Sequence, residues 1–108
     1  MNILTLCQRG NNRSVVLATI LREEYKQRNV ISQGIFSSSQ ETLAMLYEWA
    51  DKILVVEEKF IEAVHPEYRE KVVLVNLGPD QWGYKHHPDL EMKIRSVLRE
   101  IKLWELKK

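Results

Sequence analysis

The chain has 108 residues and a mass of 12.8 kDa, 44% hydrophobic and 29% charged, the size and composition of one globular domain with no room for a second. Sixteen Lys+Arg against fifteen Asp+Glu give a formal charge of +1; the basic residues are spread along the chain, so neither nucleic acid nor an anionic membrane is expected as a partner. The opening Met1-Asn2-Ile3-Leu4-Thr5-Leu6-Cys7 lacks the basic n-region and apolar h-region of a secretory signal, and no segment approaches the ~20 apolar residues of a membrane span, so a cytoplasmic monomer is expected.

Residues 2–6 form an apolar run that predicts a first strand. It ends in Cys7-Gln8-Arg9-Gly10-Asn11-Asn12-Arg13, polar apart from Cys7 and Gly10, which reads as a loop. Ser14 is a reasonable helix-start residue, and Leu17, Ile20, Leu21 and Tyr25 recur at helical spacing opposite Arg22, Glu23, Lys26 and Arg28, predicting an amphipathic helix to about Gln27. Gly34-Ile35-Phe36-Ser37 is the candidate second strand. Thr42 to Trp49 places Leu43, Leu46 and Tyr47 in a helical pattern. Lys52-Ile53-Leu54-Val55-Val56 is a β-branched run suited to a strand buried on both faces, followed by a short helix from Glu57 to His65 that stops at Pro66. Lys71 to Leu77 is a fourth strand run, and Gly78, Pro79, Gly83 and Pro88 punctuate a loop. The last helix begins near Asp89, which reads as its cap, with a stripe of Leu90, Ile94, Val97, Leu98, Ile101 and Trp104 and with Lys107 and Lys108 near its end.

Four apolar strands alternating with helical segments predict an α/β fold: a central four-stranded parallel sheet covered on both faces, three layers in all. Ligands of such sheets bind at the carboxyl ends of the strands, beside the point where strand order reverses. The loops at 7–14 and 78–88 both lie at carboxyl ends.

The chain's single cysteine excludes an internal disulfide and a Cys-rich zinc framework; Cys7 is either a packed small hydrophobe or a reagent. At a strand end with a helix beginning about seven residues later, it sits where backbone N–H groups wrap an anion. The same groups and a guanidinium favour a thiolate, the nucleophilic form. Arg13 would fold back over the loop and present its planar fork to two phosphoryl oxygens. Gly10 would serve where the backbone needs positive φ or close approach, and the Ser14 hydroxyl would stabilise the sulfur as a leaving thiolate. With seven Arg and nine Ser or Thr in the chain, Arg six places after the only Cys and followed by Ser or Thr arises by chance roughly once in two hundred sequences.

Leu6-Cys7-Gln8-Arg9-Gly10-Asn11-Asn12-Arg13-Ser14 resembles the phosphate-binding loop of the low-molecular-weight protein tyrosine phosphatases, with their Cys-x5-Arg-Ser signature near the N-terminus. Trp49 to Glu57 is similar to the family's central strand, and Gly78-Pro79-Asp80-Gln81-Trp82-Gly83 to its Asp-containing acid loop. The likeness spans essentially the whole chain and is nearest to the short bacterial and phage-type branch. It implies a flavodoxin-like strand order and a phosphomonoester hydrolase acting on phosphotyrosine proteins or small aryl phosphates, without metal or other cofactor. Cys7 would be the nucleophile, Arg13 and the loop residues Gln8, Arg9, Gly10, Asn11 and Asn12 the phosphate cradle, Asp80 the general acid and then base, Ser14 the stabiliser of the departing thiolate, and Trp82 a wall of the pocket. The sequence departs from the family in three places. Gly10 stands where Asn is usual; Asn12 stands where longer members often carry a second Cys; and Pro79-Asp80 reverses the usual Asp-Pro order.

Asp89 is the rival acid. His86 and His87 have no recognised metal-ligand spacing with Cys7, although either would suit the border of an anion pocket. Trp82 also reads as core, Arg9 as an exposed loop cation, and Ser37, in a run of three serines, as a buttress of the Cys7 loop that the resemblance suggests. Asn12-Arg13-Ser14 matches a glycosylation sequon without meaning in a cytosolic chain. Three competing activities fit parts of the pattern: an arsenate reductase resolved by an external thiol, a phosphate- or phosphotyrosine-binding module without turnover, and a phosphocysteine carrier of the sugar-transport type, which does not require Arg13 and Ser14.

Overall fold

The computed structural model describes residues 1–9 and 12–101. Gly10, Asn11, Trp104, Lys107 and Lys108, named above, lie outside the described residues. Strand β1 spans Asn2–Cys7, helix α1 Arg13–Glu24, β2 Asn29–Gly34, α2 Gln40–Trp49, β3 Lys52–Val55, β4 Val72–Leu74 and α3 Pro88–Glu100, with 3-10 turns at Glu58–Phe60 and Pro66–Lys71. The four strands form one parallel sheet in the order β2-β1-β3-β4. The chain therefore leaves β1 toward one edge and returns past it to β3. With right-handed crossovers in both steps, α1 and α2 fall on opposite faces of the sheet, and α3 packs beside α1. The reversal of strand order lies between β1 and β3, so the crevice for a ligand opens where Cys7 and Glu57 leave the sheet.

Burial follows the apolar runs. Ile3, Leu4, Leu6, Ile53, Leu54 and Val55 are buried, as β1 and β3 in the middle of a parallel sheet require. Helix α1 buries Val16, Leu17, Ile20 and Leu21, and α3 buries Leu90, Ile94 and Leu98. Helix α2 buries Leu43 and Tyr47, and its entry is capped by Ser39, whose Oγ accepts from Thr42 N at 3.1 Å. No helix among the described residues is long and apolar enough to cross a membrane.

Several elements depart from the pattern reading. The second strand is Asn29–Gly34, not 34–37. It pairs on one side only, with β1, and an edge strand tolerates the polar Asn29, Ser32 and Gln33 that hide it in the sequence. Ile35 and Phe36 belong instead to the turn beyond β2, where their N–H groups donate to Cys7 O at 2.8 Å and Gln8 O at 3.1 Å. The segment after β3 is a 3-10 turn rather than a helix to His65, and Pro66 opens a second such turn instead of ending a helix. Helix α1 starts at Arg13, one residue before Ser14, whose side chain is engaged elsewhere. At α3 the cap is His87, whose Nδ1 accepts from Asp89 N at 3.1 Å; Pro88 takes the first helical position and Asp89 lies in the first turn.

Candidate active site

Cys7 is the last residue of β1 and 3% exposed. Its Sγ lies 3.0 Å from Ser14 Oγ. Ser14 is held from the other side as well, since Thr5 Oγ1 donates to its carbonyl at 2.8 Å. The hydroxyl hydrogen of Ser14 can rotate to donate to the sulfur. The loop that leaves Cys7 is stapled to the segment after β2 by the two backbone bonds of Ile35 and Phe36 and by Ser37 Oγ, which donates to Arg9 O at 3.1 Å. Gly34 allows this approach, because a Cβ there would run into Ser37 Oγ and the Arg9 backbone.

Arg13 opens α1 and is 2% exposed. Its Nη1 donates to Glu57 Oε1 and to Gly78 O, each at 2.5 Å, and the guanidinium carbon lies 5.8 Å from the Phe60 ring centroid. Nε is buried with no protein partner among the described residues. One nitrogen is thus committed to holding the guanidinium in place. Glu57, the other half of this ion pair, is the second residue beyond β3 and its side chain is 12% exposed; Lys59 Nζ stands 3.6 Å from its second oxygen. Sequence reasoning missed Glu57. The available signal was a carboxylate at the end of the apolar run Ile53 to Val56, on the edge of the sheet where ligands bind.

Cys7, Gln8, Arg9, Arg13 and Asp80 line one cavity of about 320 Å³, at the small end of ligand sites. Asp80 is exposed on the loop after β4. Asn12 reaches this loop: its Nδ2 donates to Asp80 Oδ1 at 2.9 Å and to Trp82 O at 3.2 Å, while Trp82 N lies 3.4 Å from the same Oδ1. Asn12 occupies the N-cap position of α1 yet makes no side-chain cap bond, forgoing a contribution of about 1 kcal/mol that Asn in that position ordinarily makes. Gly78, at φ +72°, turns the chain into the loop. Trp82 is half-buried and packed against the core; it borders a neighbouring groove with Asn12, Asp80, Gly83, Tyr84 and Lys85 and is not among the residues lining the Cys7 cavity. The histidines are turned elsewhere. His86 Nδ1 lies 2.8 Å from Glu91 Oε2, and His87 caps α3. Among the described residues no group of three or more His, Cys, Asp or Glu is placed to hold a metal ion.

No family model and no curated protein matches the sequence. Solved structures do match the chain. Wzb of Vibrio vulnificus, in complex with benzylphosphonate, superposes with a TM-score of 0.70 at 19% identity, covering 99% of this chain and 98% of that one. The tyrosine phosphatase Wzb of Escherichia coli K30, in complex with phosphate, gives 0.72 at 17% identity over 92% and 94% of the two chains. A low-molecular-weight protein tyrosine phosphatase from Bacillus subtilis gives 0.66 at 19% identity over 94% and 97%. The fold is that of the low-molecular-weight protein tyrosine phosphatases. Within it, the structure brings Cys7, Ser14, Arg13, Gln8, Arg9 and Asp80 to one place, joins Asn12 to the loop that carries Asp80 and Trp82, and leaves Asp89 in the first turn of α3. Gly34 and Ser37, at the end of β2 and in the turn beyond it, and Glu57, beyond β3, support the Cys7 loop and Arg13 from two other segments of the chain.

Proposed function

We propose that this chain is a cysteine-dependent phosphomonoester hydrolase acting through a phosphocysteine, on phosphotyrosine or small aryl phosphates, as a cytoplasmic monomer of one domain. The observation that carries the reading is the convergence of the Cys7 thiol, the anchored Arg13 guanidinium and the Asp80 carboxyl on one cavity. The fold supports it, since tyrosine phosphatases are among its solved neighbours. In the first step Cys7 sulfur attacks phosphorus in line, the S–P bond forms as the ester P–O bond breaks, and Asp80 gives its proton to the leaving oxygen. Arg13 and the loop N–H groups stabilise the equatorial oxygens, which is positioning and electrostatic work rather than covalent chemistry. In the second step Asp80 takes a proton from the attacking water, inorganic phosphate leaves, and Ser14 Oγ hydrogen-bonds the restored thiolate.

The test is turnover of p-nitrophenyl phosphate between roughly pH 5 and 7 without added metal, comparing wild type with Cys7→Ser and Asp80→Ala. Hydrolysis abolished in Cys7→Ser and reduced in Asp80→Ala is the expected result. Folded wild type that hydrolyses nothing, while phosphate still protects Cys7 from alkylation, would make the site a binding module. Arsenate-dependent oxidation of an external thiol in place of hydrolysis would make it a reductase. Phosphoarginine belongs in the substrate panel, because an arginine phosphatase is also among the neighbours of this fold.

A further inference from the structure

We propose that Asn12 is a positioning residue that holds Asp80 for proton transfer and selects which carboxyl oxygen carries the proton, a role that rests on the phosphatase reading above. Asn12 ends the Cys7 loop and sits at the entry of α1, where its own side chain would ordinarily bond back to the helix. Instead the amide crosses to a segment 68 residues later in the chain. Its two polar neighbours there, Asp80 Oδ1 and the Trp82 carbonyl, are both acceptors. Only the NH2 end of the amide can donate to both, which fixes its orientation.

The consequence is asymmetry within the Asp80 carboxyl. Asn12 Nδ2 and Trp82 N both address Oδ1, and among the described residues no donor addresses Oδ2. An oxygen that receives N–H donors cannot also carry the acid hydrogen in their direction, so the proton resides on Oδ2. From there it passes to the ester oxygen as the P–O bond breaks and the bond from Cys7 sulfur forms. In the second step Oδ2 receives the proton of the water whose oxygen bonds to phosphorus as the S–P bond breaks. Asp80 is otherwise an exposed side chain on an irregular loop, free to sample rotamers. Asn12 is 8% exposed and stands next to Arg13, which fixes the base of the same loop through Gly78 O. Two consecutive residues therefore carry the phosphate-binding cation and the alignment of the acid.

The experiment compares kcat/KM, which reports the first chemical step whichever step limits turnover, for phenyl phosphate and p-nitrophenyl phosphate. The proteins are wild type, Asn12→Ala, Asp80→Ala and the double variant, with inorganic phosphate as competitive inhibitor. Phenolate needs protonation to leave and p-nitrophenolate needs it far less. Asn12→Ala should slow phenyl phosphate by about tenfold and p-nitrophenyl phosphate by less than about threefold, a fraction of what a general acid supplies. The phosphate inhibition constant should stay within about twofold of wild type, and Asn12→Ala should cost nothing further in the Asp80→Ala background. Equal losses on both esters, weakened phosphate inhibition, or a full additional loss in that background would overturn the proposal, since Asn12 would then act through the phosphate loop. Should Asn12→Ala not fold, Asn12→Leu keeps nearly the same volume without the donor and is held to the same criteria. Wild type without Cys7-dependent turnover removes the phosphatase reading and this inference together; wild-type turnover with unselective Asn12 effects removes the inference alone.

Discussion

Replacing Glu57 tests whether the Arg13 guanidinium is held by a buried ion pair. The pair has 2.5 Å between Nη1 and Oε1, with side-chain exposures of 2% and 12%. Removing one partner of such a pair leaves an uncompensated charge and costs about 3–5 kcal/mol in fully buried settings. Here Arg13 lines a cavity and keeps the Gly78 carbonyl, so Glu57→Ala should cost about 3 kcal/mol, a large share of the ~5–15 kcal/mol by which a domain of this size is stable. Each kcal/mol shifts the melting temperature of a chain this long by roughly 4–8 °C, which predicts a fall of about 12–24 °C. Glu57→Gln keeps an acceptor and loses the charge. The difference between charged and neutral hydrogen bonds then sets its cost at about 1–2 kcal/mol. Thermal melts and urea titrations of the three proteins at neutral pH decide the matter. If Glu57→Ala melts within about 2 °C of wild type, the ion pair does not hold the guanidinium; if the two variants are equal, the charge is not what matters.

Gly34→Ala should destabilise by about 2–3 kcal/mol, because the new Cβ meets backbone that cannot rotate aside; an unchanged urea midpoint would show that the Arg9 loop yields. Glu24 and Arg95 form a forked pair between α1 and α3, with contacts of 2.8–3.0 Å. The hydrogen bond from Arg95 is the main cause holding the Glu24 carboxyl below its usual 4.5. The folded value is the lower one, so the pair's contribution is present above the unfolded carboxylate pKa and disappears as pH falls through the depressed folded value. At this exposed site it should stay under about 1 kcal/mol. The difference in urea midpoint between wild type and Glu24→Gln should fade on acidification and in about 1 M salt, and an undiminished difference would contradict the assignment. Tyr47→Phe should be neutral or stabilising by up to about 1 kcal/mol, since the Tyr47 hydroxyl is buried without a partner among the described residues; a loss above about 1 kcal/mol in the same titration would show that the hydroxyl is bonded.

The parts of the fold that were legible in the sequence are those where burial and local pattern agree. Strands β1 and β3 lie in the middle of the sheet, and their runs are apolar on both faces. Strand β2 begins five residues before the expected start and ends three before the expected end, because an edge strand needs no such run, while Ile35 and Phe36, apolar and β-prone, lie in a turn that staples the Cys7 loop. At the site, the grouping of Cys7, Arg13 and Ser14 was legible because all three lie along one loop and the start of its helix. Asp80 was singled out only through the family resemblance of Gly78 to Gly83, since by local pattern it reads as a turn residue. Glu57 and the reach of Asn12 were not, since each depends on a partner 44 or 68 residues away, a separation that no local spacing records.

The parallel arrangement with β1 in the interior has a consequence for the order in which the site comes into being. Cys7 precedes in the chain every segment that surrounds it: its loop is finished only by Gly34 and Ser37, Arg13 is held only by Glu57 and Gly78, and Asn12 meets its partners only at Asp80 and Trp82. A nascent chain carries its thiol without those groups until each of the later segments has been made. On this geometry the arrangement around the thiol is complete only once the segment reaching Trp82 has been made, so an assay of Cys7 accessibility separates assembled molecules from partly made ones.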